Sequence, residues 1–248
     1  MFLNQLEIGP ASKAREIVEL DYRTAAVFDQ YNIRYCCGLQ RPLEEICLEK
    51  GTDLSELLTA LHKVSRNISI STGTPYDEWS VDFLVDYITN IHHHYLYQNL
   101  PLVSTALDEF VREHKNKYPS FIELNDLFEE LLQTFPAHLK QEEDNIFPYL
   151  RQVAHAYQDG DTGSFAKLLV KTLRKPLGSL IGHEHRILSH SIIRFRELTN
   201  NYAPVPGACT SHRVILGKLK ELDNDMVQHF YLENEVLIPK VMLMEGEI

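Results

Sequence analysis

Cysteine is scarce in this 248-residue chain: four residues, at positions 36, 37, 47 and 209, are too few and too irregularly spaced for a disulfide scaffold. No uncharged apolar run approaches the ~20 residues that a membrane span needs. Residues Met1 to Pro10 have no basic region leading into an apolar stretch, so no secretion signal is expected and a cytoplasmic location is the default. Positive charge is also short. Lys and Arg number 24 against 35 Asp and Glu, a net charge of −11 that argues against a nucleic-acid partner held through its phosphates. We read the acidity as solubility, with weak support for cation binding. No strand pattern competes with the helical ones. What is plentiful is histidine, at 12 residues, three of them consecutive at His92, His93 and His94.

The first 65 residues read as a small helical domain. Residues 13 to about 33 supply apolar positions without a breaker, Gly38 and Pro42 mark a turn, and helical runs follow from Leu43 and from Leu54, separated by Gly51-Thr52-Asp53. Residues 66–78, rich in Ser, Thr, Gly and Pro, are expected to be a linker. Residues 79–248 then carry four long helical patterns: about 80–114, 120–157, 164–200 with an interruption at Lys175-Pro176, and 210–244. Pro136 is expected to kink or break the second. The whole is expected to be all-α, a four-helix bundle preceded by the small helical domain.

Two stretches of the bundle are near copies. His138 and Glu142 are followed by Ile146-Phe147-Pro148, and His229 and Glu233 by Leu237-Ile238-Pro239, each position 91 residues from its counterpart. On a helix four residues turn through ~400° and rise ~6 Å, so each His/Glu pair shares one face. That face is the apolar one: Leu124, Leu131, Phe135 and Ile146 are in phase with His138, and Ile215, Leu222, Met226 and Val236 with His229. A carboxylate taken out of water is costly unless it is paired or binds a metal. His185 falls in phase with Leu177, Ile181, Leu188 and Ile192, so it too points into the core. His93 lies 92 residues before His185, which suggests a duplicated helical hairpin. Phase with Val81, Val85, Ile88 and Leu96 favours His92 over His93, and periodicity alone leaves both open.

Such a donor set exceeds what one catalytic zinc takes, three protein ligands and an open position. There is also no His-Glu-x-x-His motif. Imidazole and carboxylate together suit iron, and two adjacent irons would use the whole set, with Glu142 and Glu233 each able to bridge; manganese or a mixed pair stays open.

The residues from His93-His94-Tyr95 to Leu100-Pro101, His138 with Glu142, Glu184-His185, and His229 through Pro239 resemble the haemerythrin-like repair-of-iron-centres family. Tyr35-Cys36-Cys37-Gly38 resembles the hallmark of that family's small N-terminal domain, although Leu39 stands where the family commonly has a second Gly. The resemblance covers nearly the whole chain. It implies a haemerythrin-like fold and two non-haem irons with an oxygen bridge, held by His93, His114, His138, His185 and His229 with Glu142 and Glu233. It selects His93 over His92 and adds His114. It also implies roles for Cys36 and Cys37 in redox chemistry or in metal or NO transfer, and for Glu184 beside the metals or along an access path. The function it implies is repair of iron–sulfur clusters damaged by nitrosative or oxidative stress, by supplying labile iron or by reacting with NO or reactive oxygen species. The expected partners are damaged iron–sulfur proteins or a cluster-assembly scaffold, with NO and O2 as small ligands and neither nucleic acid nor membrane; a homodimer is one assembly left open. Reduction of NO at the metals, and reversible carriage or sensing of O2 or NO, are the alternatives.

Overall fold

A computed structural model describes residues 7–35, 41–65, 75–160, 163 and 185–248. Among these the chain is helical, its only β-feature being an isolated bridge between Lys13 and Pro42. It divides into two compact units, one of 1–73 with 202–220 and the other of 74–201 with 221–248.

The first unit contains helices α1 (Ala14–Leu20), α2 (Thr24–Gln30), α3 (Leu43–Lys50) and α4 (Leu54–Val64). The single helix expected over residues 13–33 is thus two. The break falls where the Asp21 carboxylate accepts from the Arg23 backbone N–H at 3.1 Å and pairs with the Arg23 guanidinium at 2.7 Å. A short acidic side chain that bonds the nearby backbone competes with helix continuation. Between α3 and α4, Gly51 adopts φ +66° and ends α3 in the left-handed conformation. Asp53 then caps α4, accepting from the N–H groups of Ser55 and Glu56. Ile17, Phe28, Leu43, Cys47, Leu57 and Leu61 form the core of this unit. Burial pushes the Cys47 thiol above its ordinary range, as suits an inert packing residue.

Four helical runs follow residue 74, the last of them beginning within the first unit's residues and ending within the second's. The first is α5 (Val81–Tyr87), a π-helical turn (Ile88–His93) and α6 (His94–His114). The next is α7 (Ser120–Gln141), a π turn (Glu142–Ile146) and α8 (Phe147–Gln158). The third, α9, spans 185–198, and the fourth is α10 (Thr210–Tyr231), a π turn (Leu232–Leu237) and α11 (Ile238–Glu247). Residues Tyr202–Lys220, which the sequence groups with the bundle, cluster with the first unit. α7 runs unbroken through Pro136, held on either side by buried Leu131, Phe135 and Leu139.

Prolines explain two of the π turns. Pro148 and Pro239 open α8 and α11 and have no N–H to offer the carbonyls four residues back, at Asp144 and Glu235. The bonding there widens to a π turn, a form that recurs at functional sites. The third turn, Ile88–His93, has no proline behind it and marks a change of phase. Before it Val81, Leu84, Val85 and Ile88 are buried; after it Leu96, Leu100, Val103 and Leu107 are. The first set is in step with His92 and the second with His93, so the extra residue of the turn carries both rings inside.

Candidate metal centre

Each His/Glu pair stands where a long helix passes into a π turn: His138 on α7 with Glu142 opening its turn, and His229 on α10 with Glu233 in the next. His93 closes the π turn before α6, and His185 stands at 185 on α9. All six side chains are at most 5% exposed.

Their arrangement has two halves. His138 Nε2 lies 3.1 Å from Glu142 Oε1, and His229 Nε2 lies 3.1 Å from Glu233 Oε1. His185 Nε2 is 3.3 Å from Glu142 Oε1 and 3.3 Å from Glu233 Oε2. His93 Nε2 is 3.1 Å from His229 Nε2, 3.5 Å from Glu142 Oε2 and 4.0 Å from Glu233 Oε1. Each glutamate therefore turns one oxygen to the His93/His229 side and the other to the His138/His185 side. Ligand atoms of His93, Glu142, His229 and Glu233 lie within 4.8 Å of one another, as do those of His138, Glu142 and His185. Two ligand atoms ~2.1 Å from one metal and at right angles are ~3 Å apart, which is the spacing of the closest pairs here.

Phenylalanines wall the six groups. Phe147 stacks on His93 with centroids 5.4 Å apart, Phe135 on His138 at 5.6 Å, and Phe230 lies 4.8 Å from the His185 ring. This dry setting dictates protonation. Burial, with His229, His138 and His92 adding to it, lowers His93 to about 2, and burial likewise holds His229 well below the ordinary histidine range. Burial raises Glu233 to about 7, against the pull of the nearby imidazoles. His93 and His229 are thus neutral, as a metal ligand must be, and a cation would offset the burial of the carboxylates. Neither Glu233 oxygen has a hydrogen-bond donor of good geometry. Nitrogen and carboxylate donors gathered in this way fit a metal.

Two outer contacts were not anticipated. His93 Nδ1 donates to Glu143 Oε1 at 2.8 Å, and His185 Nδ1 to Asn234 Oδ1 at 3.0 Å. Bonds of this kind fix the tautomer, leaving Nε2 to face the metal. The signal was in the sequence, because Glu143 and Asn234 follow the two glutamates at the same 91-residue offset. Burial raises Glu143, with Asp144 adding to it. His92 is buried as well, but its Nδ1 is engaged by Asp225 Oδ1 at 2.9 Å, and it joins neither group of candidate ligands.

His114 is not brought to the centre. It ends α6, 21 residues and ~31 Å of helix beyond His93, with its ring against Phe110 at 4.8 Å and Tyr118 at 6.4 Å. Cys36, Cys37 and Glu184 lie outside the described residues, as do 66–74 of the expected linker.

Residues 11–65 match the family model ScdA_N, described as a domain of unknown function (DUF542). The chain is 25% identical over 226 residues, 90% of its length and 95% of the relative's, to the "Iron-sulfur cluster repair protein ScdA" of Staphylococcus epidermidis. It is 27% identical over 223 residues, 89% of its length and 91% of the relative's, to the "Iron-sulfur cluster repair protein YtfE" of Edwardsiella ictaluri. A "Probable iron-sulfur cluster repair protein" of Haemophilus influenzae is 22% identical over 216 residues, 87% of this chain and 90% of that one. Over nearly its whole length the chain is similar to proteins named for iron–sulfur cluster repair, and this similarity supports the resemblance to the repair-of-iron-centres family.

Proposed function

We propose that this chain is a member of the repair-of-iron-centres family and repairs damaged iron–sulfur clusters through a non-haem di-iron centre. In this reading His93 and His229 would hold one iron and His138 and His185 the other, Glu142 and Glu233 would serve both, and an oxygen bridge would complete the set. One observation carries it: the two oxygens of each buried glutamate face opposite histidine pairs. Single-metal sites have no need of that division. The names of the relatives support repair as the task.

When bound, the metals supply exchangeable iron and a redox-active surface for NO or reactive oxygen species. The protein's own contribution is more definite. Neutral imidazoles offer lone pairs, the two carboxylates balance charge between the halves, and Phe135, Phe147 and Phe230 keep bulk water away. Cys36 and Cys37 are assigned to redox chemistry or to the hand-over of metal or NO, and a cytoplasmic site of action suits the task. No helix among the described residues is long and apolar enough to cross a membrane.

The test uses the iron-loaded full chain under anaerobic conditions, mixed with NO in one experiment and with an apo iron–sulfur acceptor in another. Iron transfer that rebuilds the acceptor's cluster supports repair by iron supply. Catalytic release of nitrous oxide with an added electron donor would instead make the chain an NO reductase, and a stable, reversible adduct a carrier or sensor. Failure to retain two metals sinks all three.

A further inference from the structure

The two outer hydrogen bonds of the centre occupy repeat-related positions. The run Glu142-Glu143-Asp144 in one hairpin corresponds to Glu233-Asn234-Glu235 in the other. The bridging glutamate and the last acid are kept in kind, and the middle position changes from a carboxylate to an amide. That middle residue holds the histidine of its own hairpin's first helix, Glu143 on His93 Nδ1 at 2.8 Å and Asn234 on His185 Nδ1 at 3.0 Å. The geometry of the two bonds is alike. Their charge is not.

We propose that the two halves hold their metals unequally, the His93/His229 half retaining its metal and the His138/His185 half giving its metal up first. The inference rests on the two-metal reading above. A carboxylate that accepts the imidazole N–H makes that imidazole a stronger donor and adds negative charge close to the metal; an amide oxygen orients the ring equally well but adds no charge. The Glu143 side chain is 32% exposed, so water screens part of its charge and the difference belongs with other outer partners, about 10–100-fold in affinity. His229 Nδ1 has no hydrogen-bond partner, so Glu143 is the outer anchor at that half. For a chain that supplies iron, the inequality means one metal to give and one that keeps the bundle closed.

The experiment loads the full chain anaerobically with two equivalents of ferrous iron, confirms the content by elemental analysis, and adds an excess of a ferrous chelator. Chelate absorbance is expected to rise in two phases of equal amplitude, with rates about 10–100-fold apart. Glu143→Gln, which keeps an acceptor and removes the charge, should speed the slow phase towards the fast one. Asn234→Asp should slow the fast phase, and serves as an independent variant should the first lose its fold by circular dichroism. Asn234→Asp combined with Glu143→Gln should exchange the behaviour of the halves, so that His185→Ala on this background removes the slow phase where on the wild type it removes the fast one. Two irons leaving at one rate, or two phases indifferent to both substitutions, overturn the inequality and leave the di-iron reading standing. Uptake of fewer than two irons overturns both.

Discussion

The two hairpins of the bundle are best understood side by side. The first contributes His93, His138, Glu142 and Glu143; the second contributes His185, His229, Glu233 and Asn234. Within the two His/Glu pairs the halves match, with Nε2 to carboxylate at 3.1 Å in each. Away from the donors they diverge. Phe135 corresponds to Met226, Asp126 on α7 to Gly217 on α10, and Glu143 to Asn234, each 91 residues on. The chemistry that both halves must perform constrains the inner positions. The outer positions answer to whatever each hairpin packs against.

The largest effect tests the sameness. Glu142→Leu and Glu233→Leu should each lose at least one metal per chain by elemental analysis, because each removes one oxygen from both halves. Retention of two metals by both variants would end the bridging assignment.

Packing separates the halves next. Phe135 and Met226 are both at most 1% exposed, and Phe135 also stacks on His138. Phe135→Ala should cost about 3–5 kcal/mol and Met226→Ala about 2–5 kcal/mol in urea unfolding of the metal-free chain. An equal or reversed order would mean that the aromatic wall adds nothing to the first hairpin. Gly217 gives a sharper contrast, since a Cβ there would lie 2.6 Å from Tyr22 Cγ within the first unit. Gly217→Ala should destabilise by about 1–3 kcal/mol although alanine is the better helix former, whereas Asp126→Ala at the corresponding position should be nearly neutral.

A smaller effect appears with pH. Burial raises Glu233 to about 7, above its unfolded value near 4.5, so the folded metal-free chain binds that proton more tightly than the unfolded chain. The stability this contributes is present in full below the unfolded value and is lost as pH rises through about 7. His93 and His229 act in the opposite sense, because their lowered values remove stability as pH falls below about 6.5. The clean readout is therefore a difference. In the metal-free state, Glu233→Gln should gain in Tm relative to the wild type as pH climbs from about 4.5 to 7 and beyond. In the metal-loaded wild type the bound cation holds Glu233 ionised and its share of the slope should vanish.

Much of this centre was legible because duplication leaves a constant spacing: the two His/Glu pairs and their trailing prolines announced both the face and the residues. His185 followed from phase. The choice between His92 and His93 did not, because a 3.6-residue period cannot see the π turn at Ile88–His93, where the buried stripe shifts by one residue. His114 was implied by the resemblance and not by periodicity, and the 21 residues between it and His93 place it ~31 Å away along the helix axis. The break between α1 and α2 was hidden for a local reason, since Asp21 reads as an ordinary exposed helix position until its carboxylate is seen on the Arg23 backbone. Glu143 and Asn234 were present in the repeat, but a residue that acts through another side chain has no periodic signature of its own.

The most direct test of the central claim is iron stoichiometry of the anaerobically loaded full chain, read with its Mössbauer spectrum after oxidation. Two irons per chain with a coupled, diamagnetic ground state are predicted from two carboxylates that each face both histidine pairs. One iron per chain, or two uncoupled irons, would contradict it.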